Sequence, residues 1–561
     1  MESQQESNAH DPSVDSTLEE SIKAPTDFWG IVKRLGPGLI VAGSIVGSGE
    51  LIATTKTGAQ AGIALLWLII VGCLIKVFVQ IELGRYSISR GETTLAALNH
   101  VPGPRLGFLN TQGKKTPNWI LWFWLVMSIC TIGQLGGIVG GVGQALALTL
   151  PIKGDYLQAI QYPSEKEFVH YLELEEALKD EQKALADLSP AERERYLRGH
   201  VKMKQRIERL EAAGQVILEK IRNEESLLDQ DGKSILEPQT WDDKIWASVI
   251  AIFTSFLLYY GRYNLIEHLS TILVVSFTFI TIGNVISLQT SDIWSISTDE
   301  IIRGLSFGIP EATGGMNPLL TALAAFGIIG VGATELIAYP YWCLEKGYAR
   351  FTGPHSEDEA WADRAKGWMR VMKIDAFASM CIYTFATLAF YLMGVAVLHK
   401  EGLDPDGMRM VSTLAEAYVP VFGTFAKWLF LSGAIAVLYS TFLVANAANA
   451  RIFSDGLRFF GVVDERKPDA LQNWIKIMSL ILPLLCLAVF LTGANPVRLV
   501  LIAGTMQAIM LPMLGVAAIY LRYTRIDARL APGRLWDLML FISCLGLLLA
   551  GGYGVYKQLF T

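Results

Sequence analysis

The chain has 561 residues, of which 52% are hydrophobic and 18% charged, and its formal net charge is −6. With a mean hydropathy of +0.37, it carries too few charges for an ordinary soluble domain, so lipid is the expected solvent. The acidic balance argues against nucleic acid as a partner. The six cysteines all fall in apolar runs, which indicates neither a disulfide framework nor a zinc site.

Residues 1–33 open acidic and polar, without the apolar core of a cleaved signal peptide, and are expected to form a disordered cytoplasmic tail. A bilayer core about 30 Å thick needs roughly 20 apolar residues per helix. Runs of that kind lie near 36–60, 63–88, 118–149, 244–261, 264–288, 317–343, 374–398, 420–446, 473–493, 496–521 and 536–557. The fold class is therefore an all-α integral membrane protein of about eleven transmembrane helices. They divide into helices 1–3 within 34–154 and helices 4–11 within 244–561.

Lys and Arg collect on alternate connections: Arg85, Arg90, Arg105, Lys114 and Lys115, then Arg262, then Arg350, Arg364, Lys366 and Arg370. The bias continues with Arg451, Arg458, Arg466 and Lys467, and ends with Arg522, Arg525, Arg529 and Arg534. The opposite short loops carry Asp292, Asp299, Glu300, Glu311, Glu401, Asp404, Asp406 and Glu416. By the positive-inside rule the basic side is cytoplasmic, which puts the N-terminus inside and the C-terminus outside a plasma (inner) membrane.

Residues 155–243 interrupt the apolar pattern with a highly charged insertion between the third and fourth spans. Tyr171, Leu174, Leu178, Leu185 and Leu188 follow a/d spacing, and Ser189-Pro190 with Glu192 reads as a capping box restarting a helix. Met203, Ile207, Leu210, Ile217, Ile221 and Leu228 keep the same alternation. The expectation is an extracytoplasmic antiparallel helical hairpin. It is either a structural decoration or, over 165–235, an arm that docks a partner or self-associates.

The first span has glycines where a helix interior disfavours them, at Gly47-Ser48-Gly49-Glu50. Unwinding there frees backbone groups, which lipid tolerates only where they line a polar cavity. Glu50 lies roughly 20 Å into the span at 1.5 Å per residue, and an ionisable group at that depth is a functional candidate. The sixth span repeats the pattern, with Gly327, Gly330 and Gly332 before Glu335 and with Pro340 after it, where a kink is expected. Spans one and six hold equivalent places in two sets of five, the mark of an inverted-repeat secondary transporter with its site between two discontinuous helices. Alternatively, the glycines serve tight packing and the glutamates bond neighbouring helices. Lys76, mid-way along the second span with Gln80 one turn on, must pair, lose its proton or snorkel. Its expected partner is Glu50 or Glu335, where it would couple charge to the site, or Glu82 as a structural pair.

Several motifs resemble the Nramp family of divalent-metal transporters. Gly36-Pro37-Gly38 is similar to that family's opening of helix one, and Gly62-Ile63-Ala64-Leu65-Leu66-Trp67 through Gln80, Gly84-Arg85 and Arg90-Gly91 to its second helix. Tyr260-Gly261-Arg262-Tyr263-Asn264-Leu265-Ile266-Glu267 resembles its link between helices four and five, and Gln507-Ala508-Ile509-Met510-Leu511-Pro512 its tenth helix. The resemblance implies a LeuT-like 5+5 inverted repeat whose helices one and six hold the ion. The ligand motifs depart from the pattern. The family's Asp-Pro-Gly-Asn reads Gly47-Ser48-Gly49-Glu50, and its Met-Pro-His-Asn falls on Leu336-Ile337-Ala338-Tyr339, unless Pro340 sets the register. The span from Trp124 to Leu146 also lacks the acidic residues of the family's proton path.

These losses remove the soft thioether that favours Mn²⁺ or Fe²⁺. A set of Glu50, Glu335, Ser48, backbone carbonyls of Gly47 and Gly49, and Gln507 would be all oxygen, with Leu336 and Tyr339 at the helix-six motif, and would suit Mg²⁺ or another hard ion. The leading expectation is a secondary transporter, a symporter by family, that moves a divalent metal cation by alternating access and carries no cofactor. An anion or amino-acid-like solute carrier on the same fold, or a transport-inactive membrane sensor, are the alternatives. No catalytic triad, phosphate loop or metal-ligand cluster suggests an enzyme.

Overall fold

The computed structural model describes residues 22–106, 116–163, 165, 167–169, 171–172, 175, 200–201, 203–223, 225–228, 234–261, 263–310, 317–463, 467 and 469–560. Among them, nine helical stretches are long and apolar enough to cross a membrane. The first of these, Gly49–Arg90, reverses direction at Gly62, whose φ of 56° is open to glycine at little cost. Dividing it there, and adding the more charged helix Asp242–Tyr260, gives the eleven expected spans.

The first span is α1 (Pro37–Ile45) and α2 (Thr55–Ala61), joined by a π-helical turn over Ser48–Thr54. Then come α3 (Leu66–Arg90), α4 (Trp119–Thr149), α5 (Asp242–Tyr260) and α6 (Tyr263–Leu288). The second set starts with a divided span, α7 (Pro318–Ile328) and α8 (Ala333–Glu345). It continues with α9 (Glu359–Met393), α10 (Val419–Phe459), α11 (Ala470–Leu491) and α12 (Pro496–Thr524), and α13 (Arg534–Phe560) closes the bundle.

Local chemistry sets these boundaries. Pro37, Pro318 and Pro496 each sit in the first helical turn, where the missing N–H costs nothing. Asn118, Asn317 and Asn495 cap their helices by accepting from backbone amides. The glycine face of α4 lets its neighbours approach at backbone distance. A Cβ at Gly137 would stand 2.5 Å from the Pro496 carbonyl oxygen, and one at Gly143 would overlap that of Asp243.

The two sets of five are arranged alike. The first half-helix, α1, packs on α6, the last helix of its set, and α7 packs on α12 in the same relation. The architecture is the LeuT-like 5+5 inverted repeat, with α13 outside it. Pro340 does not kink the chain sharply enough to divide it; α8 runs through it to Glu345.

Part of the expected tail takes structure. Phe28–Val32 form a short helix capped by Asp27, and Ile22 bonds both the Phe351 carbonyl and the Trp368 indole N–H. Residues 1–21 lie outside the described residues.

The insertion has its own apolar cluster, built on Phe168, Tyr171, Met203, Ile207, Ile217 and Leu218. Arg206–Glu167 and Arg222–Glu175 pair between its early and late segments. The late arm is not one continuous helix. It turns at Leu210 before a helix over Glu211–Arg222, and Leu228, expected on the seam, is 50% exposed. The proposed capping box at Ser189 falls outside the described residues, as do Leu174, Leu178, Leu185 and Leu188. A cavity of about 630 Å³ separates the insertion from the 401–419 segment, lined by Arg206, Arg209, Glu401 and Arg409 among others. It contains none of the carboxylates at the helix breaks.

Candidate functional site

The first break falls at Val46 and Gly47, where ψ of 66° and then φ, ψ of −156°, −100° leave the helical region. A Cβ at Gly47 would overlap the Thr441 side chain on α10, so close packing as well as unwinding requires glycine there. The freed carbonyls meet hydroxyls: Ser440 and Thr441 donate to Gly43, Thr54 to Gly49 and Thr55 to Glu50. The sixth-span break covers 329–332. Ile329 is extended and Gly330 has a φ of 57°. α7 ends against α12, where a Cβ at Gly327 would overlap the Gly504 carbonyl.

The two breaks brace each other. Glu50, fully buried, accepts through Oε1 from the Gly330 amide at 3.3 Å and from the Thr387 hydroxyl at 2.9 Å. Its Oε2 is buried with no hydrogen-bond partner. In return Glu335, in the first turn of α8, accepts through Oε1 from Ser44 on α1 at 3.1 Å. Its Oε2 faces a cradle above Gly332. A Cβ on that glycine would lie 2.6 Å from Glu335 Oε2, 2.8 Å from Gln507 Oε1 and 3.0 Å from the Gly327 carbonyl oxygen. Gln507 is fixed by accepting from the Thr334 amide and donating to Gln134 at 2.8 Å. Three oxygens therefore converge on one point, and the bond from Gly330 to Glu50 Oε1 brings a second carboxylate to the same break, its Oε2 unbonded.

The structure thus brings Glu50, Glu335 and Gln507 to the 329–332 turn, with Gly49 packed against the Ile328 carbonyl. The side chain of Ser48 is outside the described ones. Two expected members belong elsewhere. Tyr339 donates to Asp375 and to the Met372 carbonyl, and Asp375 in turn accepts from the Gly36 and Gly38 amides at the start of α1. It therefore helps hold the basic end of the first span. Leu336 is fully buried, apolar core. Among the described residues no group of three His, Cys, Asp or Glu side chains is placed to hold a metal ion, so any cation here needs amide and carbonyl oxygens beside the carboxylates.

Lys76 makes no direct ion pair with an expected partner, but its charge acts on both Glu50 and Glu335. Its ammonium donates to the Phe326 carbonyl and, at 2.7 Å, to the Ile329 carbonyl, and lies 4.6 Å from the Phe326 ring centroid. Glu82 instead holds Arg85 and the Trp536 indole.

The opposite end of the first span is pinned as well. Lys56 on α2 pairs with Asp404 at 2.6 Å and donates to the Pro405 carbonyl, and His399 bonds the Ala59 carbonyl. Asp375 thus ties down one end of the first span and Lys56 the other, with Glu50 buried between them. Thr387, Ser44, Gln134, Lys56 and Asp375 were not singled out in the sequence. Gln134, Lys56 and Asp375 are polar groups inside apolar runs and so carried a legible signal. Thr387 and Ser44 did not, because a hydroxyl bonding its own helix is ordinary.

A divided helix in each half of an inverted repeat, with carboxylates at both breaks, defines a multi-pass transporter of the LeuT-type fold. The Nramp family model (natural resistance-associated macrophage protein-like) matches residues 238–557, and the chain belongs to that family. The matched stretch leaves out the first three spans. Among solved structures, the manganese transporter of Eremococcus coleocola, in complex with an aromatic bis-isothiourea substituted compound, is similar at 14% identity and a TM-score of 0.55. The match covers 96% of this chain and 89% of that one. MhsT in complex with L-phenylalanine also matches at 14% identity and a TM-score of 0.47, over 94% and 99% of the two chains. No curated protein matches the sequence.

Proposed function

We propose that the chain transports a divalent metal cation by alternating access, with hard ions such as Mg²⁺ slightly preferred over Mn²⁺ or Fe²⁺. The observations that support this reading are an unbonded oxygen, Glu50 Oε2, on a carboxylate that bonds Gly330, and the oxygens of Glu335, Gln507 and Gly327 that converge two residues further on, at Gly332. A buried acceptor without a donor is costly, and carboxylate, amide and carbonyl oxygens would select a hard cation as partner. Cation binding would release Glu50 and Glu335 from their bonds to Gly330 and Ser44. Because those bonds tie the first span to the sixth, occupancy would change how the two breaks are held together. Membership of the family and the manganese transporter among the similar structures support a metal as cargo.

The anion or amino-acid alternative is disfavoured by two placements. Lys76 donates its hydrogen bonds to helix carbonyls, and the amino end of α8, which an anion would need, already carries Glu335 in its first turn. We read the basic end as cytoplasmic, in line with the Lys and Arg bias. The insertion is read as a structural cap rather than a docking arm, because Arg409 anchors it by donating to the Tyr162 and Leu236 carbonyls.

The test is uptake of Mg²⁺ and Mn²⁺ into proteoliposomes. Glu50→Gln keeps the Thr387 and Gly330 contacts within reach but removes the charge, and is expected to lower uptake about 100-fold. Uptake equal to the unmodified protein would remove Glu50 from the site, and absence of flux for every divalent ion would return the sensor alternative.

A further inference from the structure

Lys76 is fully buried and meets no carboxylate at ion-pair distance. Both of its acceptors belong to the place where α7 stops. Phe326 lies in the last turn of that helix, and Ile329 is the extended residue that follows it. A helix end leaves carbonyls without intrahelical donors and carries about half a negative charge. Inside a membrane no water covers such an end, and discontinuous helices of secondary transporters use it to hold a coupling Na⁺ or proton. Here the place is filled by an ammonium carried on the neighbouring helix.

The packing brings that ammonium in at short range. A Cβ on Gly72 would lie 3.1 Å from both the Ile329 Cδ1 and the Phe326 ring, and one on Gly330 would lie 3.1 Å from the Cys73 Cα. α3 is therefore drawn against the break one turn before Lys76, and the side chain has only to lie along the end of α7. The Phe326 ring face adds a cation–π contact.

We propose that Lys76 is a tethered replacement for a coupling cation. It fills the carbonyl seat at the end of α7 permanently, so that the transporter works without Na⁺ and its cargo is confined to the Glu50, Glu335 and Gln507 side of the break. Lys76 is on this account a positioning residue and a determinant of ion specificity. Its removal uncovers a monovalent-cation site that the protein otherwise lacks. The transport arm of the test rests on the divalent-cation reading, and the stability arm does not, so the two fail separately.

The full chain in detergent is melted in NaCl and in choline chloride of equal ionic strength. The unmodified protein melts alike in both. Lys76→Gln, which keeps a donor but loses the charge, melts lower in choline and recovers by about 3 °C or more in Na⁺, as expected for a ligand bound only by the folded state. Lys76→Arg keeps the charge and stays indifferent to Na⁺. In proteoliposomes Lys76→Gln takes up Mg²⁺ or Mn²⁺ at least about tenfold faster in Na⁺ than in choline, the coupling expected of two linked sites, and the unmodified protein shows no such difference. Recovery of folded Lys76→Gln from Na⁺ buffers alone supports the proposal. A Lys76→Gln protein that ignores Na⁺, or fails to fold in either salt, overturns it. So does Na⁺-stimulated melting or uptake in the unmodified protein.

Discussion

The two helix breaks occupy equivalent places in the repeat, yet they settle the same physical problem with different chemistry. Both expose backbone carbonyls where lipid or packed protein supplies no water. At the first break, hydroxyls of Thr54, Thr55, Ser440 and Thr441 cover them. At the sixth-span break, the Lys76 ammonium does so. Neutral donors leave the first break without added charge. A cation at the second fixes positive charge at the turn, within electrostatic reach of Glu50 and Glu335. Symmetry of fold therefore does not carry over to symmetry of electrostatics.

The glycines offer the strongest way to break this comparison. At Gly327 an added methyl would meet the backbone of α12, and at Gly47 it would meet the Thr441 hydroxyl, which can turn, and the Thr441 Cβ at 2.6 Å, which cannot. Gly327→Ala should cost about 3 kcal/mol and Gly47→Ala about 2 kcal/mol, read as melting of the purified protein. Equal losses would erase the distinction between a backbone and a side-chain contact. Next in size is the bracing between the breaks. Glu335→Gln should lower divalent uptake about 30-fold, and combining it with Glu50→Gln should cost little more than Glu50→Gln alone, because residues acting on one ion are not additive. Fully multiplicative losses would place the two carboxylates in separate sites. The smallest effect tests the hydroxyl cover: Thr54→Val should destabilise by about 1 kcal/mol, the worth of one buried neutral hydrogen bond. A loss as large as that of Lys76→Gln in choline would mean that hydroxyl and ammonium play equal parts.

The positions of both breaks were legible because glycine is expensive inside a helix, so Gly47, Gly49, Gly330 and Gly332 stand out in apolar runs. Glu50, Glu335 and Gln507 were legible because polar groups are rare at that depth. The partner of Lys76 was not. A lysine can reach several helices, and main-chain carbonyls at a helix end leave no trace in residue type, so a carboxylate was expected where a carbonyl pair is found. Tyr339 was assigned to the ion site by family register, but the turn of α8 carries its hydroxyl to Asp375 at the other end of the first span. The late arm of the insertion kept its apolar spacing while turning at Leu210, since seam periodicity reports the buried face and not the continuity of the helix.

The sequence by itself determined that this chain lives in a membrane, that it crosses about eleven times, and that two of those crossings are interrupted beside a glutamate. Each of these follows from local quantities: hydropathy over a bilayer thickness, the cost of glycine in a helix and the cost of charge in lipid. Only the tertiary structure decided which oxygens converge above Gly332, that each glutamate bonds the other span, and that the ammonium of Lys76 closes the end of α7. Those outcomes depend on which helix faces which at a separation of a few ångströms, and in a chain whose spans are all apolar, hydropathy does not encode that choice.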